Sequence, residues 1–309
     1  MRSHVASPYS DGMLRPLLTF ALFLLFAPAV WAGQLALILT DNNAPYLEFA
    51  SSLQNNLKSG WKLAYTDKTL RSTESHPVDL IITVGSTALR STLAGNPKTP
   101  ILATLLPEHS YQSILAEART PPPVSAIYLD QPPARLTRLI RLLLPDVRRV
   151  GIMVGEQSRQ QLPAFRSVLA QQKLQLVSEQ VDSEAQILPA LEGLLANSEV
   201  LLALPDSLVY SRTSIRPVLM TALRYRRPVI GFSSAIAKAG ALVALYSTPA
   251  QIGRQAGALL STHGARLPPP RGPAEYSLNI NKSVAEAFGL RLPEESELFQ
   301  KLLTSGTEE

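Results

Sequence analysis

Few residues of the 309-residue chain have the type and spacing to break a bond. Cysteine is absent, which removes disulfides, thiolate-bound zinc, iron–sulfur clusters, a thiol nucleophile and a lipid-modified N-terminal cysteine. Beyond residue 32 the histidines are His76, His109 and His263. They stand far apart beside loop residues, so their spacing builds no metal site. Neither glycine pattern that cradles phosphates or dinucleotides occurs, and no cofactor is expected. One serine invites a nucleophile reading: Gly231-Phe232-Ser233-Ser234-Ala235, between a strand and a helix, echoes the Gly-x-Ser-x-Gly elbow. The second glycine is missing, only His263 follows as a base, and no acid partner stands out before it. Serine hydrolysis is therefore the least favoured reading, and no catalytic residue is assigned.

Polar side chains gather instead where strands end. Asp41, Ser86, Thr87, Thr104, Asp206, Ser233 and Ser234 all follow apolar runs. In doubly wound sheets that is where ligands bind, often at helix N-termini. Each residue taken singly is also an ordinary helix cap, but strand ends of this kind across two blocks favour one shared cleft. Asp41 or Tyr46 is placed at its edge, with Tyr46, Tyr128, Tyr210 and Tyr246 as candidate rings for stacking, although tyrosines at strand ends more often simply pack. Hydroxyls, at most one or two carboxylates, and no arginine at a strand end favour a small neutral or zwitterionic ligand. A phosphate ester or dicarboxylate would call for a guanidinium fork. The arginines of 135–149 and 212–227 fall on helix faces without interleaved aromatics, so they read as solvated and no nucleic-acid partner is expected.

The elements that position these residues alternate. Strands are expected at 34–40, 61–66, 78–84, 100–105 and 124–129, with helices at 46–58 and 86–93. A second block repeats the pattern, with strands at 149–154, 174–181, 199–204 and 228–232. Its helices are expected at 134–144, 160–172, 184–195 and 209–226, where Pro217 kinks the last or delays its start. Runs apolar throughout, such as Val78-Asp79-Leu80-Ile81-Ile82-Thr83-Val84, suit parallel sheets covered on both faces. The tail adds a helix at 248–260, a strand at 276–280 and a short helix at 283–288. An unpaired helix and strand after two complete blocks imply that the chain crosses back between lobes. The fold class is α/β, with two doubly wound parallel-sheet lobes joined by a hinge. Lobe one takes 33–128 plus 248–266, and lobe two takes 129–247 plus 267–309.

Residues 1–32 read as an address. Arg15 precedes the apolar run Leu17–Ala27, and Ala29-Val30-Trp31-Ala32 has the small-x-small ending of a signal-peptidase site. The run is shorter than a span of about 20 residues. Cleavage after Ala32 in an unlipidated chain implies the periplasm. A charged fraction of 17% and a hydrophobic fraction of 46% exclude disordered and coiled-coil classes.

These residues carry a resemblance. Val78–Ala88 resembles the "valine-aspartate-leucine … glycine-threonine" segment of ABC-transporter substrate-binding proteins with the type I periplasmic-binding fold, a family that includes tryptophan- and tyrosine-binding components. Leu143-Leu144-Pro145 through Arg149-Val150-Gly151-Ile152 is similar to the family's linker into the second lobe. Arg227-Pro228-Val229-Ile230-Gly231, Lys238-Ala239-Gly240-Ala241-Leu242, Ile252–Gly257 and Leu278-Asn279-Ile280-Asn281 match in order. The resemblance implies a monomeric solute-binding component that delivers its ligand to an inner-membrane ABC permease, with an aromatic amino acid or related ring compound as the leading ligand. A ligand-sensing module signalling to a receptor is the alternative. Departures fall in the pocket: Leu106-Pro107-Glu108 replaces an Asp-Pro pair, Ser233-Ser234 an acidic residue, and Ser207 an asparagine beside Asp206.

Overall fold

The structure, a computed structural model, describes residues 33–58, 60–69 and 77–304. The expected signal segment, its cleavage site and His76 lie outside the described residues.

Apolar runs collapse into two sheets. The first contains β1 (Gly33–Leu39), β2 (Trp61–Asp67), β3 (Leu80–Val84), β4 (Ile101–Leu106) and β5 (Val124–Tyr128). Its order is β2-β1-β3-β4-β5, and every pairing is parallel. β3 and β4 are buried along their whole length, as strands covered on both faces must be. The second sheet contains β6 (Arg149–Val154), β7 (Gln175–Gln180), β8 (Val200–Leu202), β9 (Val229–Gly231), β10 (Val243–Tyr246) and β11 (Ser277–Ile280). Its order is β11-β10-β9-β8-β6-β7. Only β11 is antiparallel, so the remaining five strands repeat the winding of the first sheet. Strand order reverses between β1 and β3 and again between β6 and β8, the crevices where such folds take ligands.

Helices α1 (Ala44–Asn56), α2 (Ser86–Ala94) and α3 (Glu108–Glu117) cover the first sheet. Helices α4 (Pro133–Leu143), α5 (Leu162–Gln171), α6 (Glu184–Asn197), α7 (Ile215–Arg224) and α8 (Ser234–Ala239) belong to the second. Next come α9 (Pro249–His263), α10 (Lys282–Ala287) and α11 (Glu295–Thr304). α7 starts late, with Pro217 inside its first turn where the missing N–H costs nothing. Helices α3 and α11 and strand β10 go beyond the elements expected from the sequence.

Helix α9 follows the second sheet's strands yet buries Ile252, Ala256, Leu259 and Leu260 in the core of the first sheet. It begins in a capping box, with Thr248 and Gln251 each accepting the other's backbone N–H. Gly253 and Gly257 permit its close approach to α1, since a Cβ at Gly253 would stand 2.7 Å from the Phe49 carbonyl. The chain then runs beside β5, where Tyr128 donates its N–H to Arg271 O, and Arg271 donates its own to Ala126 O. It then continues past Gly272 to the second sheet.

The three passages between sheets are tied together. Gln131 Nε2 donates to Ser247 Oγ (3.0 Å), and Ser247 Oγ donates to the Glu275 carbonyl (2.6 Å). Arg135 donates to Gln131 Oε1 and Pro273 O and stacks 4.3 Å over Tyr276. Arg141 donates to the carbonyls of Gln172 and Val147. The arginine face of α4 is therefore bonded to the fold rather than simply solvated. Among the described residues, no helix is long and apolar enough to cross a membrane.

Candidate functional site

The end of β4 sets the site. Leu105 adopts φ +51°, and the β4–β5 register shifts between Thr104 and Leu106. A left-handed non-glycine residue costs roughly 1–2 kcal/mol, and bulges of this kind re-aim the chain beside functional sites. Here the turn delivers Pro107 to the start of α3, so that Glu108, His109 and Gln112 face a cavity of about 330 Å³. Tyr128 closes one side of it. The Tyr128 ring is held edge-on to Tyr111 (centroids 5.5 Å apart), and the Tyr111 hydroxyl donates to Val124 O. Burial pushes the Tyr111 phenol up to about 12 and raises that of Tyr128 as well. Both phenols are therefore neutral, and Tyr128 presents a neutral wall.

The opposite wall comes from Gln160, Gln161 and Ala164, at and after the short 3-10 turn Arg159–Gln161. Asp130, 9% exposed, joins the two walls. Its carboxylate accepts the Glu108 N–H (2.7 Å) from the first sheet and Gln161 Nε2 (3.0 Å) from the second. Glu108 Oε1 accepts from Gln112 (3.0 Å). Burial, reinforced by the negative charge of Asp130, raises the Glu108 carboxyl above its ordinary range, and the Gln112 bond opposes this. Burial lowers His109, while Asp130 and Asp206 pull it the other way. The cavity thus holds two neighbouring carboxylates, with Arg271 also on its lining, and a cationic ligand group would relieve the repulsion between the two acids.

A second cavity of about 570 Å³ adjoins the first, sharing His109, Gln112 and Gln160. It adds Ser86 and Arg90 from α2, Ser113 from α3, and Glu156 and Gln157 from the loop after β6. Of the residues expected at a cleft, Ser86 and Tyr128 line these cavities. Thr104 is fully buried and donates to Thr83 O (2.9 Å). Asp41 accepts the Asn43 N–H and side-chain amide, which shapes the entry to α1. Tyr46 packs against the first core and Thr87 is exposed on α2. Ser233 caps α8 by accepting the Ile236 N–H, and Ser234 is the first residue of that helix.

Asp206 is 4% exposed, and its carboxylate is filled from within the chain. It accepts the N–H groups of Gly155, Ser158, Leu208 and Val209 and the Ser158 hydroxyl (2.8 Å). His263 closes α9, whose last turn meets Trp61 at the start of β2 through the Trp61 bond to Leu260 O. That is the amino end of the first sheet. Ser233 lies at the carboxyl end of β9, so the fold keeps this serine and histidine apart.

Sequence reasoning noted Glu108 only as a departure from the family pattern in the pocket, and did not assign His109, Gln112, Asp130, Gln131, Gln157, Gln160 or Gln161 to it. A Pro-Glu pair after a strand, with apolar Tyr111 and Ile114 three apart, was the available signal for α3. The glutamines carry no motif.

Comparison with known proteins places this geometry. Residues 52–297 match the family model described as ABC transporter substrate binding protein. Comparison with curated proteins finds no match. Among solved structures, a ligand-free, open substrate-binding protein with adhesive properties from Clostridium difficile is similar, with 16% identity and TM-score 0.64. That match covers 85% of this chain and 97% of the other. An ABC domain in complex with L-Trp from Streptococcus pneumonia shares 15% identity at TM-score 0.57, covering 87% and 98%. A periplasmic ribose ABC transporter from Conexibacter woesei shares 14% at TM-score 0.52, covering 84% and 96%. At such identities the likeness shows the fold, which is that of type I periplasmic binding proteins. With the family model matched over most of its length, this chain belongs to the ABC transporter substrate-binding proteins.

Proposed function

We propose that the chain is an exported, periplasmic solute receptor for an ABC import system, cleaved after Ala32 and acting as a monomer. It delivers a small zwitterionic ligand to an inner-membrane permease. Its lobes, 33–128 plus 248–266 and 129–247 plus 267–309, hinge at the three passages and close over the ligand. Family membership supports the binding role. The observation that carries the ligand reading is Asp130, which bonds to both walls of the cavity beside the half-buried Glu108 carboxyl. An ammonium group there receives charge-assisted hydrogen bonds, and Tyr128 offers a ring edge to an aromatic side chain. The L-Trp complex of the Streptococcus structure is consistent with that preference, at low identity.

Ligand that binds only the closed state shifts the population toward it. At a hundred times its dissociation constant such a ligand adds about 2.7 kcal/mol of stability. Thermal melting of the mature chain with amino acids, nucleosides and aromatic acids is the test. Amine-bearing zwitterions should raise the melting temperature by several degrees. A strong shift with phosphorylated or multiply anionic compounds, and none with amines, would overturn the ligand reading.

A further inference from the structure

The two cavities read together specify ligand length. The first touches α3 at Glu108, His109 and Gln112, and the second continues along the same helix to Ala116. At about 1.5 Å per residue, Glu108 to Ala116 is roughly 12 Å. A free amino acid separates its ammonium from its carboxylate by about one residue, ~3.5 Å, whereas three extended residues reach roughly 10 Å. A single amino acid held at Glu108 and Asp130 would leave the larger cavity empty.

The waist between the cavities is made by side chains common to both. Gln112 stands on the first-sheet wall and Gln160 on the second-sheet wall. Gln157 follows on the Gln160 side, with Ser86 and Ser113 opposite. A carboxamide offers one acceptor and two donors, so a pair facing across a groove complements a group with one N–H and one C=O. That group is a peptide bond. Both glutamines are exposed, and Gln112 engages Glu108 only through one N–H. Among the described residues, Tyr128 and the His109 imidazole are the rings lining either cavity, so the groove has no pair of phenyl or indole faces to clamp one large aromatic ligand.

Resting on the solute-binding reading above, we propose that the ligand is a short peptide of two or three residues. Its free amino terminus sits against Glu108 and Asp130, and its first peptide bond lies between Gln112 and Gln160. The remainder extends past Ser86 and Gln157 with side chains directed to solvent.

Calorimetric titration of the mature chain with tri-L-alanine, its N-acetyl derivative, L-alanine, L-tryptophan and maltotriose tests this. Tri-L-alanine should bind at least tenfold more tightly than either amino acid. N-acetylation should cost tenfold or more, about the loss of one charge-assisted hydrogen bond. Gln112→Ala and Gln160→Ala, both at exposed positions, should each weaken the peptide by about tenfold. L-Tryptophan binding as tightly as the peptide would overturn the proposal and leave solute binding intact. Preference for maltotriose would overturn it in favour of a polyol. No heat or melting shift with any of these, nor with the wider solute set above, would bring down both readings.

Discussion

Two carboxylate clusters stand at strand ends of this molecule, and they have opposite surroundings. Asp206, after β8, is enclosed by five donors drawn from residues 155–158 and 208–209. Glu108 and Asp130, after β4 and β5, share far fewer donors and border a cavity. A carboxylate whose lone pairs are filled by its own chain organises a loop. One left short of donors beside a like charge is raised in energy until something cationic arrives. Residue type and position along a strand are alike in the two cases. The supply of backbone N–H groups separates them.

Removing the enclosed carboxylate should have the largest effect. Asp206→Ala strands several buried donors at once and should lower unfolding free energy by about 3 kcal/mol or more, measured by denaturant titration without ligand. A loss below about 1 kcal/mol would place Asp206 with the open cluster instead. Glu108→Gln should act the other way. It removes a half-buried charge beside Asp130, so stability holds or rises, while affinity for an amine ligand drops roughly 10- to 100-fold.

The same variant carries a pH signature. The folded carboxyl of Glu108 is raised above 4.5, so its contribution to stability is present below that value and fades as pH rises through the folded value. Amine affinity, which needs the ionised carboxyl, should fall as pH drops toward that raised value, and Glu108→Gln should flatten the dependence. His109, lowered from 6.5, contributes stability above 6.5 that is lost as pH falls through its folded value. Melting curves of Glu108→Gln between pH 4 and 8 separate the two groups. The smallest effect is expected at Ser233→Ala, which loses one helix cap of about 1 kcal/mol and no affinity. A tenfold affinity loss there would move the site toward the second sheet.

Most of the fold was legible because buried parallel strands leave a plain trace. Leu80–Val84 and Ile101–Leu106 are apolar throughout because both faces are covered. Pro217 correctly announced a late start to α7. Helix α3 was missed because only Tyr111 and Ile114 of its ten residues are buried, too few to set a period. Strand β10 runs for four residues straight after a helix and a glycine, too short to distinguish from a loop. The site was harder still. Asp206 resembled a ligand carboxylate because its donors, Gly155 and Ser158, lie about fifty residues away along the chain. Gln160 and Gln161 gain meaning only from facing α3, which no spacing along the chain reveals.

The packing of α9 on α1 also imposes a schedule on synthesis. Ser52 on α1 donates to the Ala250 carbonyl, 198 residues further along the chain, and Trp61 reaches Leu260 across 199. A nascent chain growing at about 5–20 residues per second leaves α1 without its partner for roughly 10–40 s. During that interval the apolar side of the first sheet that Ile252, Ala256 and Leu260 finally cover stays open. Closing so long a loop is slow even once the chain is complete. On the exported reading proposed above, that delay is useful, because a chain that has not yet closed its first core can still be threaded.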